Sequence, residues 1–217
     1  MKISAKDQLP IVHVPAQVLR TPAQPIALDD LEELRRITTA LYATLTLQRK
    51  PRGVGVALPQ VGQSLRAFAT LLDENEESPV DNGSAHQKLC KDPFRIYFNP
   101  SIIKHSDKRV FGVDGEEPML EGCLSIPKLY GPVPRFEKIK IHAWTIDLTS
   151  KDAPRILEIE EHLADFPARV FQHELDHLDG ILFTDVIQEL ELPLYRQIMG
   201  EMIQIDRSII TWGKDTI

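Results

Sequence analysis

Apolar residues recur with a helical rhythm between residues 29 and 48. Leu31, Leu34, Leu41 and Leu45 stand three or four positions apart, or the sum of the two, which predicts an amphipathic helix. Asp29 or Asp30 can cap its start, and Pro51 and Gly53 stop it. The rhythm then changes to that of strands. Leu65–Leu72 and Arg95–Ile103 are short runs of strand character. Lys138–Asp147 alternates, with Ile139, Ile141 and Ala143 set against Lys138, Lys140 and His142, and Arg155–Glu161 follows as another strand. Residues 73–93 are polar, with Pro and Gly, and read as a surface insertion, because structureless loops of this length are uncommon in compact domains. A second helix is expected over residues 164–178, with Ala168, Phe171, Leu175 and Leu178 on its apolar face and Gly180 as its stop. After Pro193, the spacing of Leu194, Ile198, Met202, Ile205 and Ile209 predicts a last amphipathic helix. Strands clustered between helices give an α+β class: mostly antiparallel sheets around the 164–178 helix, with an N-terminal and a C-terminal helix. The order of the strands is not readable from the chain.

Composition narrows the picture. The chain has 217 residues, enough for one domain spanning 1–217 with its own core. A net charge of −7 argues against a free-standing nucleic-acid surface, which needs clustered Lys and Arg. No apolar run approaches the ~20 residues of a membrane span. The first fifteen residues lack the apolar core of a signal peptide, so a cytoplasmic location is expected. Cys90 and Cys123 make no disulfide framework; in such a compartment both are expected reduced.

The second helix carries the candidate chemistry. Its end reads Gln172-His173-Glu174-Leu175-Asp176-His177-Leu178-Asp179-Gly180. At 3.6 residues per turn, His173 and His177 share one face and can clamp one metal ion, with Glu174 beside them as a general base. A solvent-facing polar helix would spell the same letters, so a third ligand is the deciding question, because a catalytic zinc-type site takes three protein ligands and leaves one position open. His13, His86, His105, His142 and His162 have no partner at helical spacing.

Two further segments bear on this: Gly53-Val54-Gly55-Val56-Ala57-Leu58-Pro59-Gln60 and Glu121-Gly122-Cys123-Leu124-Ser125-Ile126-Pro127. With the helical motif they resemble the three ordered motifs of the peptide deformylases, which remove the formyl group from new polypeptides. The second and third match at every fixed position. The first departs at Leu58, where the family usually has alanine, so that residue lines either the core or the pocket. The resemblance covers about residues 10–185. It implies Cys123 as the third metal ligand with His173 and His177, and Glu174 as the base. It also implies Gln60 and the Leu124 N–H as donors to the carbonyl under attack. Gly53 and Gly55 let a backbone approach closely, and an extended peptide could add to this segment as a strand. Val54, Gly55, Gly122 and Val170 are the candidate substrate contacts. The implied cofactor is one divalent ion, Fe(II) in the cell, with Zn, Ni or Co also suited to such donors. The implied substrates are N-formylmethionyl nascent peptides.

Two other readings compete. A zinc peptidase would need a ligand beyond the motif, such as Glu189 or Glu191, but Gly180 should end the helix before them. A non-catalytic peptide-binding module would have no need of Gln60, Cys123, His173, Glu174 and His177 together. As for a ribosomal partner, residues 188–217 carry Arg196, Arg207 and Lys214 against Glu189, Glu191, Glu201, Asp206 and Asp215. This net −2 gives no electrostatic pull towards RNA.

Overall fold

The computed structural model describes residues 3–48, 52–72, 93–112, 117–148 and 154–212. The insertion expected at 73–93 falls, but for Pro93, outside the described residues, as do His86 and Cys90. At its two ends, the Leu72 N–H donates to the Pro93 carbonyl at 2.9 Å.

Helix α1 runs over Leu31–Leu47. Asp30 accepts a hydrogen bond from the Glu33 N–H at 3.0 Å, and acidic Glu32 and Glu33 sit in the first turn, where the helix dipole favours them. Its buried stripe is Leu34, Ile37, Leu41 and Leu45.

Five strands form the main sheet: β1 (Gly55–Ala57), β2 (Ala67–Leu71), β3 (Phe94–His105), β8 (Lys138–Asp147) and β9 (Arg155–Ala164). They lie in the order β1-β2-β3-β8-β9, and every neighbouring pair is antiparallel. Strand alternation sends residues to both faces. On one face, Ala67, Ala69, Ile96, Phe98 and Ile146 pack with Leu34, Leu41 and Leu45 of α1. On the other, Phe68, Tyr97, Ile139, Ile141 and Ala143 meet Ala168, Phe171 and Leu178 of helix α2, which spans Asp165–Leu178. The Phe171 ring packs edge-on against Phe68 and Tyr97, with centroids 5.0 and 5.2 Å away.

A second sheet holds four strands in the order β11-β10-β6-β5: β5 (Leu120–Cys123), β6 (Ile126–Pro132), β10 (Leu194–Ile198) and β11 (Glu201–Ile205). Helix α3 (Phe183–Glu189) packs beneath it through Phe183 and Ile187, which join Ile126, Leu129, Val133 and Leu194 in a third apolar cluster. Strands β4 (Arg109–Val110) and β7 (Arg135–Phe136) form a small ribbon. The class is therefore mixed α+β with mostly antiparallel sheets, and three α-helices lie among the described residues.

The C-terminal helix expected from Leu194 to Ile209 does not form. Residues 194–205 make the antiparallel β10–β11 hairpin, with Leu194 opposite Ile205 and Ile198 opposite Glu201. The two-residue connection, Met199-Gly200, has both φ angles positive, at 51° and 91°, as the favoured hairpin turns require. An apolar spacing of four satisfies a helical turn and equally two steps along one strand face. The burial also fits a hairpin: Leu194 is fully buried, while Ile198, Met199, Met202 and Ile203 are exposed.

A candidate metal and catalytic centre

Helix α2 brings His173 and His177 to one side, one turn apart. Cys123 arrives from the end of β5, where the pairing with β6 shifts register between Gly122 and Cys123. The sulfur and the imidazole nitrogens of the three residues lie within 4.8 Å of one another, and among the described residues no other His, Cys, Asp or Glu joins such a group. The Cys123 Sγ and His177 Nε2 are 3.2 Å apart. Ligand atoms around a tetrahedral ion of zinc-like bond lengths stand about 3.4–3.6 Å apart, so this thiolate and imidazole set fits a divalent metal.

The surroundings favour such an ion. Burial and the neighbouring His173 charge hold the His177 pKa well below the usual histidine value, which favours the neutral ring that a metal ion needs as a ligand. Burial also opposes charge on His173, but hydrogen bonds to Cys123 and Glu121 outweigh it and carry that pKa well upward. A bound cation competes for the same nitrogen and releases its proton.

His173 Nδ1 lies 3.0 Å from the Glu121 carboxylate. That carboxylate is buried, which disfavours its charge, yet Arg135 and the hydrogen bond from His173 hold its pKa well below the usual carboxylate range. Arg135 Nε and Nη2 donate to its two oxygens at 3.0 and 2.9 Å, and Arg169 Nη1 donates to it at 2.8 Å. Arg135 also reaches Asp176 on α2 at 2.5 Å. Arg169 donates to the Val133 and Val110 carbonyls at 2.7 and 2.9 Å. This buried ion network ties α2 to β5, β4 and β7, and it orients one candidate ligand through its second nitrogen. The sequence reading missed Glu121, Arg135 and Arg169 as parts of the centre. Glu121 alone had a signal, since it opens the second motif.

Glu174 is buried on the same helix, and one of its carboxylate oxygens has no hydrogen-bond partner. Burial first, offset by the nearby His173 charge, raises its pKa to about 7. Gly55 makes room for it: a Cβ there would collide with Glu174 Oε1. Gln60 accepts from the Ala57 N–H at 2.8 Å, which orients the amide so that its Nε2 points at Cys123 Sγ, 3.3 Å away.

A cleft of about 250 Å³ opens on these residues. Val54, Gly55, Gly122 and Val170, the candidate substrate contacts, all line it, together with Gln60, Leu124 and Glu174. Leu58 does not. It is fully buried in the α1-facing core with Leu34, Ile37 and Leu41. Among the described residues no competing histidine joins that group: His105 stacks on Phe136, and His142 pairs with Glu158 at 2.7 Å. Glu189 and Glu191 stand outside the Cys123, His173 and His177 group.

Comparison with known proteins agrees with this arrangement. The family model described as polypeptide deformylase matches residues 8–192. Peptide deformylase 1 of Bacillus subtilis is 34% identical over 179 residues, covering 82% of this chain and 89% of that protein. The peptide deformylase of Salinibacter ruber is 30% identical over 213 residues, covering 96% of this chain and 97% of its own. Among solved structures, a class I type b peptide deformylase from Acinetobacter baumannii with Met-Ala-Ser bound superposes with a TM-score of 0.62 at 30% identity, covering 82% of this chain and 98% of that one. With its three motifs converging on one cleft, the chain belongs to the peptide deformylase family of metalloenzymes.

Proposed function

We propose that residues 1–217 act as one domain that hydrolyses the N-formyl amide of N-formylmethionyl peptides, releasing formate, with Cys123, His173 and His177 holding one divalent ion. The observation that carries this reading is the buried Glu174 carboxylate, with an unpartnered oxygen, beside three mutually close metal donors. When bound, the ion lowers the pKa of a water towards neutrality and polarises the formyl oxygen.

The protein's own groups complete the reaction. Glu174 accepts a proton from the attacking water, whose oxygen bonds to the formyl carbon. It then delivers that proton to the amine nitrogen as the C–N bond breaks. Gln60 has two amide N–H donors; one faces the Cys123 sulfur, and the other serves the developing oxyanion with the Leu124 N–H. Val54, Gly55, Gly122 and Val170 receive the start of the peptide, whose flexible thioether suits a smooth apolar slot. Mixed thiolate and imidazole donors suit Fe(II), Zn, Ni or Co; family membership favours Fe(II) in the cell. The setting is the cytoplasm, where formylated chains emerge from ribosomes, and no helix among the described residues is long and apolar enough to cross a membrane.

The test is metal analysis of protein purified without oxygen, with formate release measured from an N-formylmethionyl tripeptide. Stoichiometric metal with formate release is expected. Release of free amino acids without formate would replace the reading with a peptidase.

A further inference from the structure

The candidate active cleft does not end at the reacting groups. Gly55 lies against Glu174, the chemical end, whereas a Cβ on Gly53 would meet Leu124 Cδ1 at 2.8 Å and Leu45 Cδ2 of α1 at 3.4 Å. A peptide added along residues 53–55 with its formyl group at Glu174 must therefore run antiparallel to β1, towards Arg52 and the C-terminal end of α1. Gly55 and Arg52 are about 10 Å apart along an extended chain, so roughly the third or fourth peptide residue reaches that end.

A second cleft of about 500 Å³ waits there. It lies between Gln48, the C-cap of α1, and the stretch Gln8–His13, and it shares Leu124 with the first cleft. Its other walls include Leu9 and Ile11, and none of its described lining residues is Asp, Glu, Lys or Arg. The Gln8–His13 stretch is anchored from behind: the Leu9 N–H donates to Thr44 Oγ1 at 3.0 Å and the Val12 N–H to the Gln60 carbonyl at 2.7 Å. It is a fixed wall built on α1 and on the turn that presents Gln60.

Resting on the deformylase reading above, we propose that this cleft is a downstream subsite: it takes the peptide residues from about the fourth onward, and it favours uncharged ones. Apolar walls interleaved with Gln8, His13 and Gln48 suit polypeptide backbone and neutral side chains, and a charged side chain there would lose water without finding an opposite charge among the described lining residues.

The competing route is a groove lined by Arg196, Ile198, Met199 and Trp212, which shares Lys128 and Leu129 with the active cleft. The proposed cleft, by contrast, includes Leu124, the side chain nearest a Cβ on Gly53.

The experiment compares formate release from an N-formylmethionyl tripeptide and a heptapeptide with neutral residues at positions four to seven. The wild-type enzyme, Gln48→Trp and Met199→Trp are assayed in parallel. Neither substitution touches the groups assigned to metal or chemistry. We expect a several-fold higher kcat/KM for the heptapeptide, carried by KM. Gln48→Trp should abolish that gain while leaving the tripeptide rate unchanged, and Met199→Trp should retain it. Lysines at positions four to six should erase the gain in the wild-type enzyme. Equal kcat/KM for both peptides, with formate still released, would overturn the subsite and leave the deformylase reading standing. A gain lost in Met199→Trp and kept in Gln48→Trp would overturn it in favour of the other groove. No formate from either peptide would overturn the deformylase reading, and the subsite with it.

Discussion

Single residues decide the chemistry, and their roles separate under substitution. Glu174→Gln preserves shape but cannot accept a proton, so metal content should remain and formate release should fall by at least about a hundredfold; a variant with wild-type rates would remove Glu174 from its role as the base. Cys123→Ser replaces a thiolate by a neutral hydroxyl, a poor ligand, so metal retention should drop. The sulfur-dependent absorption of a cobalt-loaded sample should vanish with it, and an unchanged spectrum would argue against sulfur ligation. Leu58 is a different case. It departs from the usual motif alanine, but it is fully buried among α1 side chains and away from the cleft. Leu58→Ala should therefore cost about 2–5 kcal/mol of stability through the cavity it leaves. Denaturant unfolding would show this, with substrate preference unaltered in the formate assay.

At the scale of elements, helix α2 is held by charge as well as by packing. Glu121 of β5 receives Arg135, Arg169 and His173, and Arg135 reaches on to Asp176. Removing one member leaves buried charges without partners, which typically costs about 3–5 kcal/mol. Glu121→Gln should lower the melting temperature and weaken metal affinity together. A variant that lost metal but melted like the parent in its metal-free form would show that Glu121 serves the metal site alone. The C-terminal segment gives the second element-scale prediction. It forms a hairpin in place of the expected helix, yet Leu194 and Ile210 are buried in the third cluster, with Ile205, Ile209 and Trp212 packed against it. Deleting residues 194–217 should thus lower thermal stability and expose apolar surface, read by dye binding. A truncated protein that melts like the parent would mean that the hairpin contributes nothing to the core.

Across the whole molecule, what the chain determines by itself and what folding decides divide along sequence distance. Helix α1 and the motif helix were legible because their periodicity and stop signals are local: Asp30 caps three residues away, and Gly180 closes α2 with a φ of +71°. The pairing of His173 with His177 follows from helical pitch alone. The alternation of Lys138–Asp147 was local too, and it survives as β8. The strand order and the convergence of Arg135 and Arg169 on Glu121 were not legible: the two arginines stand 14 and 48 positions from Glu121, and no local spacing encodes such contacts. Cys123 as a site residue came from motif resemblance, and its approach to His177, 54 positions away, is a product of β5 packing against α2. The hairpin at 194–205 shows the same limit from the other side. Its apolar spacing of four fits both helix and strand, so local pattern could not choose. Tertiary pairing did: Arg196 and Tyr195 sit opposite Leu129 and Tyr130 on β6, and that sheet edge satisfies backbone groups that a helix would satisfy internally.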